Sequence, residues 1–332
     1  MMKRIALIAG LIAALAAIPA AAQTADGKQA SPAVSQDAAT IKVTLLGTAS
    51  PAPRPDRSGI STLVEAGGLR LVFDAGRGVP VRLWQLKIPV GSVDALFLTH
   101  LHSDHVGGIP DLWMTSYIPA PYGRRSKPFK VIGPTGTKAM MTAIRQAFAE
   151  DGQIRIADEK ISEEATEVDA SDFAKEGVVF EKDGVTVSAF KVNHGEAIKP
   201  AYGYRVDYGG HSVVLSGDTK YDENLIEHAA GADLLIHEVA MARPEIAGGP
   251  VQSRILGHHT LPAEAGRVFA KVRPKMAVFS HIVLLSTKDV PEPSLDDLVA
   301  ETRTTYDGRL TVGEDLMSFT IGDGVTIESV SQ

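Results

Sequence analysis

Cysteine is absent from all 332 residues of the chain. The protein therefore has no disulfide bonds, no thiolate metal site and no cysteine that could carry a lipid anchor. Any metal that it holds must be bound by imidazole nitrogens or carboxylate oxygens, the other common protein ligands. The ten histidines are consequently the first candidates for metal ligands.

Positive charge is also scarce. The chain has 33 lysine and arginine residues against 40 aspartate and glutamate residues, a net charge of −7. Without Lys3 and Arg4, which lie in the leader described next, 31 basic residues remain and the net charge is −9. Nucleic acids are bound largely through lysine and arginine contacts to phosphate, so this balance predicts that no nucleic acid is a partner.

The first 22 residues have the layout of a secretory signal peptide. Lys3 and Arg4 precede an apolar run from Ile5 to Ile18, and the small residues Ala20 and Ala22 fit a cleavage site. The run is shorter than the ~20 apolar residues of a membrane-spanning helix, so no stable membrane anchor is expected. We predict a signal peptide over residues 1–22, a flexible lead-in over 23–40, and a periplasmic or secreted protein.

Short β-branched runs separated by turn residues follow from residue 41 onward. They predict strands, while two amphipathic segments, 137–150 and 262–272, predict helices. Strand-rich halves, each followed by helices, predict one α/β domain over 41–332, a four-layer αββα sandwich. The predicted strands are 41–46, 61–66, 70–74, 95–100, 129–133, 185–194, 202–208, 212–218, 234–240 and 277–281, with a final pair near 310–328.

Five of these predicted strands end in a side chain that can bind a metal or a substrate. In α/β sheets, ligand sites collect at the carboxyl ends of strands, so five such ends predict one convergent site. The five residues are His100, His194, Asp218, Glu238 and His281.

The segment LTHLHSDHVGG, residues 98–108, holds three histidines and an aspartate within six positions. His100 and His102 alternate along an extended segment and should point to the same side. Asp104 and His105 follow closely enough to face a second centre. Imidazole and carboxylate ligands suit Zn²⁺, and also Mn, Fe or Co. This segment therefore predicts a metal site.

The His-x-His-x-Asp-His string resembles the signature of the metallo-β-lactamase superfamily. The rest of that pattern stands in order along the chain: LVFDAGRG with Asp74, VNHGE with His194, LSGDT with Asp218 and FSH with His281. The segments LLGTASPAPRPDRSGIS, LLIHEVA and GHHT are similar to the tRNase Z-like branch, which includes phosphodiesterases and zinc-dependent arylsulfatases. The resemblance covers residues 41–282.

The resemblance implies a site for two divalent metal ions, most simply Zn²⁺. Two ions about 3.5–4 Å apart can share a water molecule and lower its pKa towards neutrality, which makes it a nucleophile. Asp74 would support the site without binding metal. The implied ligands are His100, His102 and His194 for the first ion, Asp104, His105 and His281 for the second, and Asp218 bridging both.

The candidate catalytic residues are Asp104, Glu238 and His259. In the tRNase Z-like branch a glutamate and a later histidine form a pair in which the histidine contacts the scissile group. The adjacent His258 and His259 leave the register open, because the His-x-Thr pattern selects His258 whereas the helix that follows selects His259. We prefer His259, as a proton donor or oxyanion contact.

The choice of substrate depends on one acidic segment. RNA processing in this branch relies on a basic arm between the metal loop and the next histidine, yet residues 151–176 hold nine acidic and three basic side chains. Together with predicted export, this favours a small anionic ester. We therefore predict a hydrolase of small phosphodiesters or aryl sulfate esters that does not act on nucleic acid.

Two other functions stay open. A lactonase or β-lactamase would use the same metals, but Glu238 and His259 would then have no obvious task. A non-catalytic metal-binding or sensing protein is the alternative of another class. The resemblance also implies a homodimer. Trp113 and Tyr117, just after the metal loop, could line the pocket, although aromatic residues four positions apart usually pack in a core.

Overall fold

Two β-sheets lie face to face in the computed structural model, which describes residues 39–328. The predicted signal peptide and nearly all of the predicted lead-in lie outside the described residues. The strands β1 to β15 are Ile41–Gly47, Ser61–Ala66, Leu69–Phe73, Ala95–Phe97, Phe129–Pro134, Val168–Phe173, Gly177–Lys182, Val185–Lys191, Tyr202–Tyr208, His211–Leu215, Leu234–Ala242, Met276–Leu285, Leu310–Val312, Ser318–Ile321 and Val325–Glu328.

Helices cover the outer face of each sheet. None of them, within residues 39–328, is long and apolar enough to cross a bilayer. The helices α1 to α11 are Val79–Gln85, Ser103–Val106, Ile109–Tyr117, Thr137–Ala147, Ala149–Glu159, Glu163–Thr166, Glu223–His228, Pro244–Ala247, Pro250–Leu256, Pro262–Val272 and Leu295–Thr302.

The strand order explains why several strand ends meet. The first sheet has the order β15-β14-β1-β2-β3-β4-β5-β6, and the second has the order β13-β12-β11-β10-β9-β8-β7. Strands β10, β11 and β12 are parallel neighbours. Strand β8 runs in the same direction as β10, because each pairs antiparallel with β9. The carboxyl ends of β8 and β10 therefore reach the same edge of the second sheet.

The core has three layers of apolar contact, which is why the strands are apolar on both faces. Leu71 and Phe73 of β3 face the second sheet, whereas Val72 between them packs against the helices outside. The same alternation occurs in β10, where Val213 points inward and Val214 points towards the outer helices of the second sheet. The predicted four-layer αββα sandwich is confirmed.

Strands β6 and β7 were not recognised in the sequence. Each of them is one of the two end strands of its sheet, and all of their side chains are half-exposed or exposed. An edge strand of this kind, with polar residues facing water, lacks the apolar periodicity by which a strand is predicted.

Candidate metal centre

Three of the predicted ligands lie just beyond the ends of strands. His100 follows β4, His194 follows β8 and Asp218 follows β10, each three residues after the last strand residue. His102 has an extended backbone and precedes the one-turn helix α2, which contains Asp104 and His105. The change from extended to helical backbone points these neighbouring side chains to different sides of the site.

Glu238 and His281 do not end strands, contrary to the sequence prediction. Both lie inside long strands, β11 and β12, at a point where the pairing register shifts. His237 pairs with Phe279 and Val239 pairs with Ile282, so an extra residue is accommodated between them. His281 takes the left-handed backbone conformation there, with φ 48°. Such a bulge re-aims side chains, and here it brings Glu238 and His281 to the site.

The seven predicted ligands converge around one carboxylate oxygen, and we call them the inner cluster. Asp218 Oδ2 lies 4.0 Å from His100 Nε2 and 3.6 Å from His194 Nε2. The same oxygen lies 3.4 Å from His105 Nε2 and 3.4 Å from His281 Nε2. One oxygen thus stands between two groups of imidazoles, the arrangement that a bridging ligand requires.

Two ligand sets can be separated around that oxygen. The first set is His100, His102 and His194 with Asp218, and the second is Asp104, His105 and His281; within each set the candidate ligand atoms lie within 4.8 Å of one another. Nε2 of His105 and Nε2 of His194 are buried without a hydrogen-bond partner among residues 39–328. Unpartnered imidazole nitrogens beside carboxylates fit two divalent ions. The assignment of individual ligands stays a prediction.

The protonation states also suit a metal. Burial lowers the pKa of His194 to about 4 and that of His100 well below its ordinary value. Burial alone would raise the pKa of Asp218, but His281 and His105 outweigh it and hold this pKa well below the usual range. The neutral imidazoles of His100 and His194 and the ionised carboxylate of Asp218 are therefore in the forms that bind divalent ions. Burial lowers the pKa of His105, but Asp218 outweighs it and raises this pKa well above the ordinary value, so His105 would give up a proton when it binds a metal.

Asp74 supports His105 from behind, in agreement with the role that the resemblance implied. His105 Nδ1 donates to Asp74 Oδ2 at 2.7 Å, and Thr99 donates to both oxygens of Asp74 from its backbone N–H and its hydroxyl. A carboxylate on Nδ1 fixes the tautomer and the ring orientation of a metal-binding histidine. His105 therefore presents Nε2 to the inner cluster.

The structure pairs Glu238 with His259. His259 Nδ1 donates to Glu238 Oε2 at 3.1 Å, while the backbone N–H groups of Thr260 and Thr219 donate to Oε1 at 2.9 and 3.2 Å. The ring of His259 lies 5.7 Å from that of His281. Burial lowers the pKa of His259, but the Glu238 carboxylate outweighs it and raises this pKa to about 9. His259 is thus the cationic member of the pair at pH 7.

His258 has a different environment from its neighbour. Its backbone carbonyl accepts a hydrogen bond from His194 Nδ1 at 2.8 Å. Its ring lies parallel to that of His194, 5.0 Å between centroids and 11° between planes. Burial lowers the pKa of His258 to about 4. The sequence patterns treated His258 and His259 as alternatives, whereas the structure places both next to the inner cluster.

Two other candidates lie apart from the site. Trp113 and Tyr117 of α3 are buried in the core between the first sheet and its helices, with ring centroids 5.7 Å apart. Tyr117 donates to Asp151 at 2.7 Å. They pack in the core and do not line the metal pocket.

A separate cavity of about 480 Å³, none of whose lining residues belongs to the inner cluster, is here called the arginine cavity. It lies between the β1–β2 loop and the start of α1. Gly76, next to the cavity residue Arg77, is so close to the metal loop that a Cβ on it would come 2.6 Å from the carbonyl oxygen of Asp104. The arginines that line the cavity are Arg54, Arg57, Arg77 and Arg82.

The four arginines differ in their partners. Arg82 pairs with the buried Asp315 at 2.8 Å, and Arg54 pairs with Asp56 and Glu292. Arg57 and Arg77 form no ion pair with any residue in 39–328, and they hydrogen-bond only to a hydroxyl and to carbonyl oxygens. Their charges are available to an anion. The sequence shows these arginines but gives no sign that they share a cavity.

The acidic segment 151–176 is compensated within the fold. It forms most of α5, the helix α6 and the edge strand β6. Its carboxylates pair with basic side chains or with backbone N–H groups: Asp151 and Glu159 with Arg155, Glu167 with Arg145, Asp169 with Lys130, and Asp172 with the N–H groups of Gly136 and Lys138. Much of the negative charge of this segment is therefore neutralised by contacts within the fold, so the composition of the segment says little about the substrate.

Comparison with known proteins agrees with this architecture. The family model of the beta-lactamase superfamily domain matches residues 69–282. The chain is 35% identical over 281 residues to Ribonuclease Z of Mycobacterium marinum, covering 83% of this chain and 97% of that protein. It is 36% identical over 283 residues to Ribonuclease Z of Mycobacterium avium, covering 83% and 96%.

Solved structures show the same fold. The metallo-beta-lactamase fold protein YhfI from Bacillus subtilis aligns with a TM-score of 0.64 at 20% identity, over 85% of this chain and 100% of that chain. The short form of human tRNase Z aligns with a TM-score of 0.61 at 21% identity, over 83% and 98%.

These relatives overturn two predictions made from the sequence. Proteins named Ribonuclease Z, 33–36% identical over most of the chain, contradict a small phosphodiester or aryl sulfate ester as the substrate. They equally contradict the exclusion of nucleic acid. Both predictions were wrong because they assumed that the acidic residues of the chain, and of segment 151–176 in particular, lie near the substrate. The chain belongs to the metallo-β-lactamase superfamily, in its tRNase Z-like branch, and is a metal-dependent hydrolase.

Proposed function

We propose that the protein is a two-metal hydrolase that cleaves phosphodiester bonds in RNA, in the manner of ribonuclease Z. The observation that carries the proposal is the Glu238–His259 pair beside an intact inner cluster, in a chain that aligns with almost the whole length of proteins named Ribonuclease Z. The predicted ions, Zn²⁺ in preference to Mn, Fe or Co, would lower the pKa of a water molecule and neutralise phosphate charge when bound.

The chain's own residues supply the rest of the chemistry. His259, held protonated by Glu238, faces the inner cluster and donates its proton to the leaving oxygen as the P–O bond breaks. The remaining imidazole then stays hydrogen-bonded to Glu238 through Nδ1. Asp104 lies in the second ligand set, 3.1 Å from His281 Nε2. Its candidate catalytic role is to orient this side of the inner cluster.

The arginine cavity supports RNA as the substrate. A polynucleotide carries a phosphate on each side of the bond that is cleaved, and Lys and Arg contacts to such phosphates provide most of the affinity. Arg57 and Arg77 line this cavity and have no carboxylate partner among residues 39–328. We infer that the cavity binds a phosphate adjacent to the scissile one.

The test is a substrate panel with the zinc-loaded full chain. A tRNA precursor with a 3′ trailer, an unstructured RNA oligomer, a lactone and a cephalosporin are incubated under identical conditions. We expect RNA cleavage with a distinct product end, and no comparable turnover of the lactone or the cephalosporin. Faster hydrolysis of the lactone or cephalosporin, or intact RNA in every reaction, would overturn the proposal. Metal analysis of the chain as purified, before zinc is added, tests whether zinc is the bound ion.

We also propose that the chain is exported, on the basis of the pattern in residues 1–22 alone. Expression in a bacterial host, followed by fractionation and N-terminal sequencing, tests this. A periplasmic chain that begins after residue 22 is expected. A cytoplasmic chain that retains Lys3 and Arg4 would contradict export. The homodimer stays a prediction, and light scattering of the purified chain tests it.

A further inference from the structure

We propose that His258 is a second substrate-binding histidine, which hydrogen-bonds an anionic oxygen of the phosphate held at the inner cluster. His258 would serve the side of the first ligand set, and His259 the side of the second. This inference rests on the proposed function, and it concerns a residue that the Glu238 pairing leaves without a task.

The ring positions place the two histidines on different sides of the site. The ring of His258 stacks on that of His194, which belongs to the first ligand set. The ring of His259 lies beside that of His281, in the second set, with 23° between the planes. One ring nitrogen from each of His194, His258 and His259 lies within 4.8 Å of the others. An oxygen bound among these three nitrogens would be within reach of both His258 and His259.

His258 has hydrogen-bonding capacity that the protein does not use. Its Nε2 is buried and has no partner among residues 39–328, although the residue as a whole is half-buried. A buried polar atom left unpaired costs free energy, and it is most simply explained by a partner that is not part of the chain. Glu238 is not that partner in the structure, because its oxygens accept hydrogen bonds from His259, Thr260 and Thr219 and not from His258.

The backbone holds His258 in this place. Its N–H donates to the carbonyl of Ile255 at 3.1 Å, and its carbonyl accepts from His194 Nδ1. Gly195, with φ 99°, permits the close approach, because a Cβ on it would come 3.2 Å from the Cβ of His258. Since His194 bonds to the backbone of His258, replacing the His258 side chain should leave the orientation of His194 intact.

The experiment compares His258→Ala and His258→Gln with His211→Ala, a control of the same kind on β10. Zinc content is measured for each full-length variant, and the affinity of the zinc-loaded protein for inorganic phosphate is measured by calorimetry. We expect His258→Ala to retain the wild-type zinc content and to bind phosphate about tenfold more weakly, as the loss of one hydrogen bond to a charged group implies. Glutamine, which can still donate, should restore most of that affinity, and His211→Ala should change it less than about twofold.

Two outcomes would overturn the inference. Unchanged phosphate affinity in His258→Ala would show that the imidazole does not contact the anion. A loss of zinc from His258→Ala would make the residue a metal ligand instead. With RNA as the substrate, a contact made on binding should raise KM more than it lowers kcat. The phosphate measurement needs no RNA cleavage, so failure of the proposed function and failure of this inference are distinguishable.

Discussion

The inner cluster and the arginine cavity are built in opposite ways. The inner cluster is closed and almost fully buried, with four imidazole nitrogens within 4.0 Å of one Asp218 oxygen. The arginine cavity is open and lined by long side chains from a loop and a helix start. The first determines which bond chemistry is possible, and the second bears on which anion is selected.

This difference accounts for the wrong substrate prediction. The predicted ligand residues lie in short motifs, so the inner cluster can be recognised in the sequence. The arginines come from positions 54 to 82 and meet only in the folded chain. Net charge averages over both regions and over acidic residues that are paired elsewhere. Local charge beside the scissile bond is the relevant quantity for a phosphate-bearing substrate.

The largest effect is expected from breaking the inner cluster. Asp218→Asn removes the charge of the oxygen that is predicted to bridge the two ions, and we expect at least about a 10³-fold loss of turnover together with loss of bound zinc. Metal analysis and single-turnover RNA cleavage measure both. The exposed Asp289→Asn is the matched control and should behave as wild type. Full zinc occupancy in Asp218→Asn would contradict the bridging role.

The Glu238–His259 pair should have the next largest effect. Glu238→Gln is expected to lower kcat about 10²-fold and to change its pH dependence. In the wild type, His259 is protonated below its pKa of about 9, so activity falls as the pH rises through that value. Without the Glu238 carboxylate the largest influence that raises the pKa of His259 is lost, so the basic limb should move to lower pH.

The measurement for that pair is kcat against pH in both proteins, with Glu181→Gln on the edge strand β7 as the control. The basic limb of the control should stay near that of the wild type. If the basic limb of the pH profile does not shift in Glu238→Gln, that limb reports the titration of a group other than His259.

A smaller effect is expected in the arginine cavity. Arg77→Ala should raise KM for RNA roughly fivefold and reduce the slope of log affinity against log salt by about 1, the change expected for one lost phosphate contact. The control is Arg145→Ala, which removes an arginine of α4 that is paired with Glu167. An equal salt slope in Arg77→Ala and the wild type would remove this arginine from the RNA contact surface.

The smallest effect is expected in the acidic segment. Replacing Asp158 and Glu164 by Asn and Gln neutralises two exposed carboxylates there. If the segment does not face the substrate, KM for RNA should change less than about twofold. A clear fall in KM would mean that the acidic segment lies near the RNA and repels it.

Parts of the fold and the site were predictable to different degrees. The strands β1, β2 and β9 have bounds close to the predicted ones, because β-branched or aromatic residues bounded by turn residues are a strong local signal. The placement of Glu238 and His281 at strand ends was wrong, because a mid-strand register shift depends on pairing between β11 and β12. The edge strands were missed for the opposite reason, since half-exposed strands lack that signal.

The amino-acid sequence by itself determined the family and predicted a metal site made of histidine and aspartate side chains, because residue type and short spacing are local properties of the chain. Only the tertiary structure decided that Glu238 meets His259, that His258 stacks on His194, and that four arginines share one cavity. These contacts join residues that are distant in the chain, and they depend on the direction in which neighbouring side chains such as His258 and His259 point. Sheet register and helix packing determine these contacts and directions.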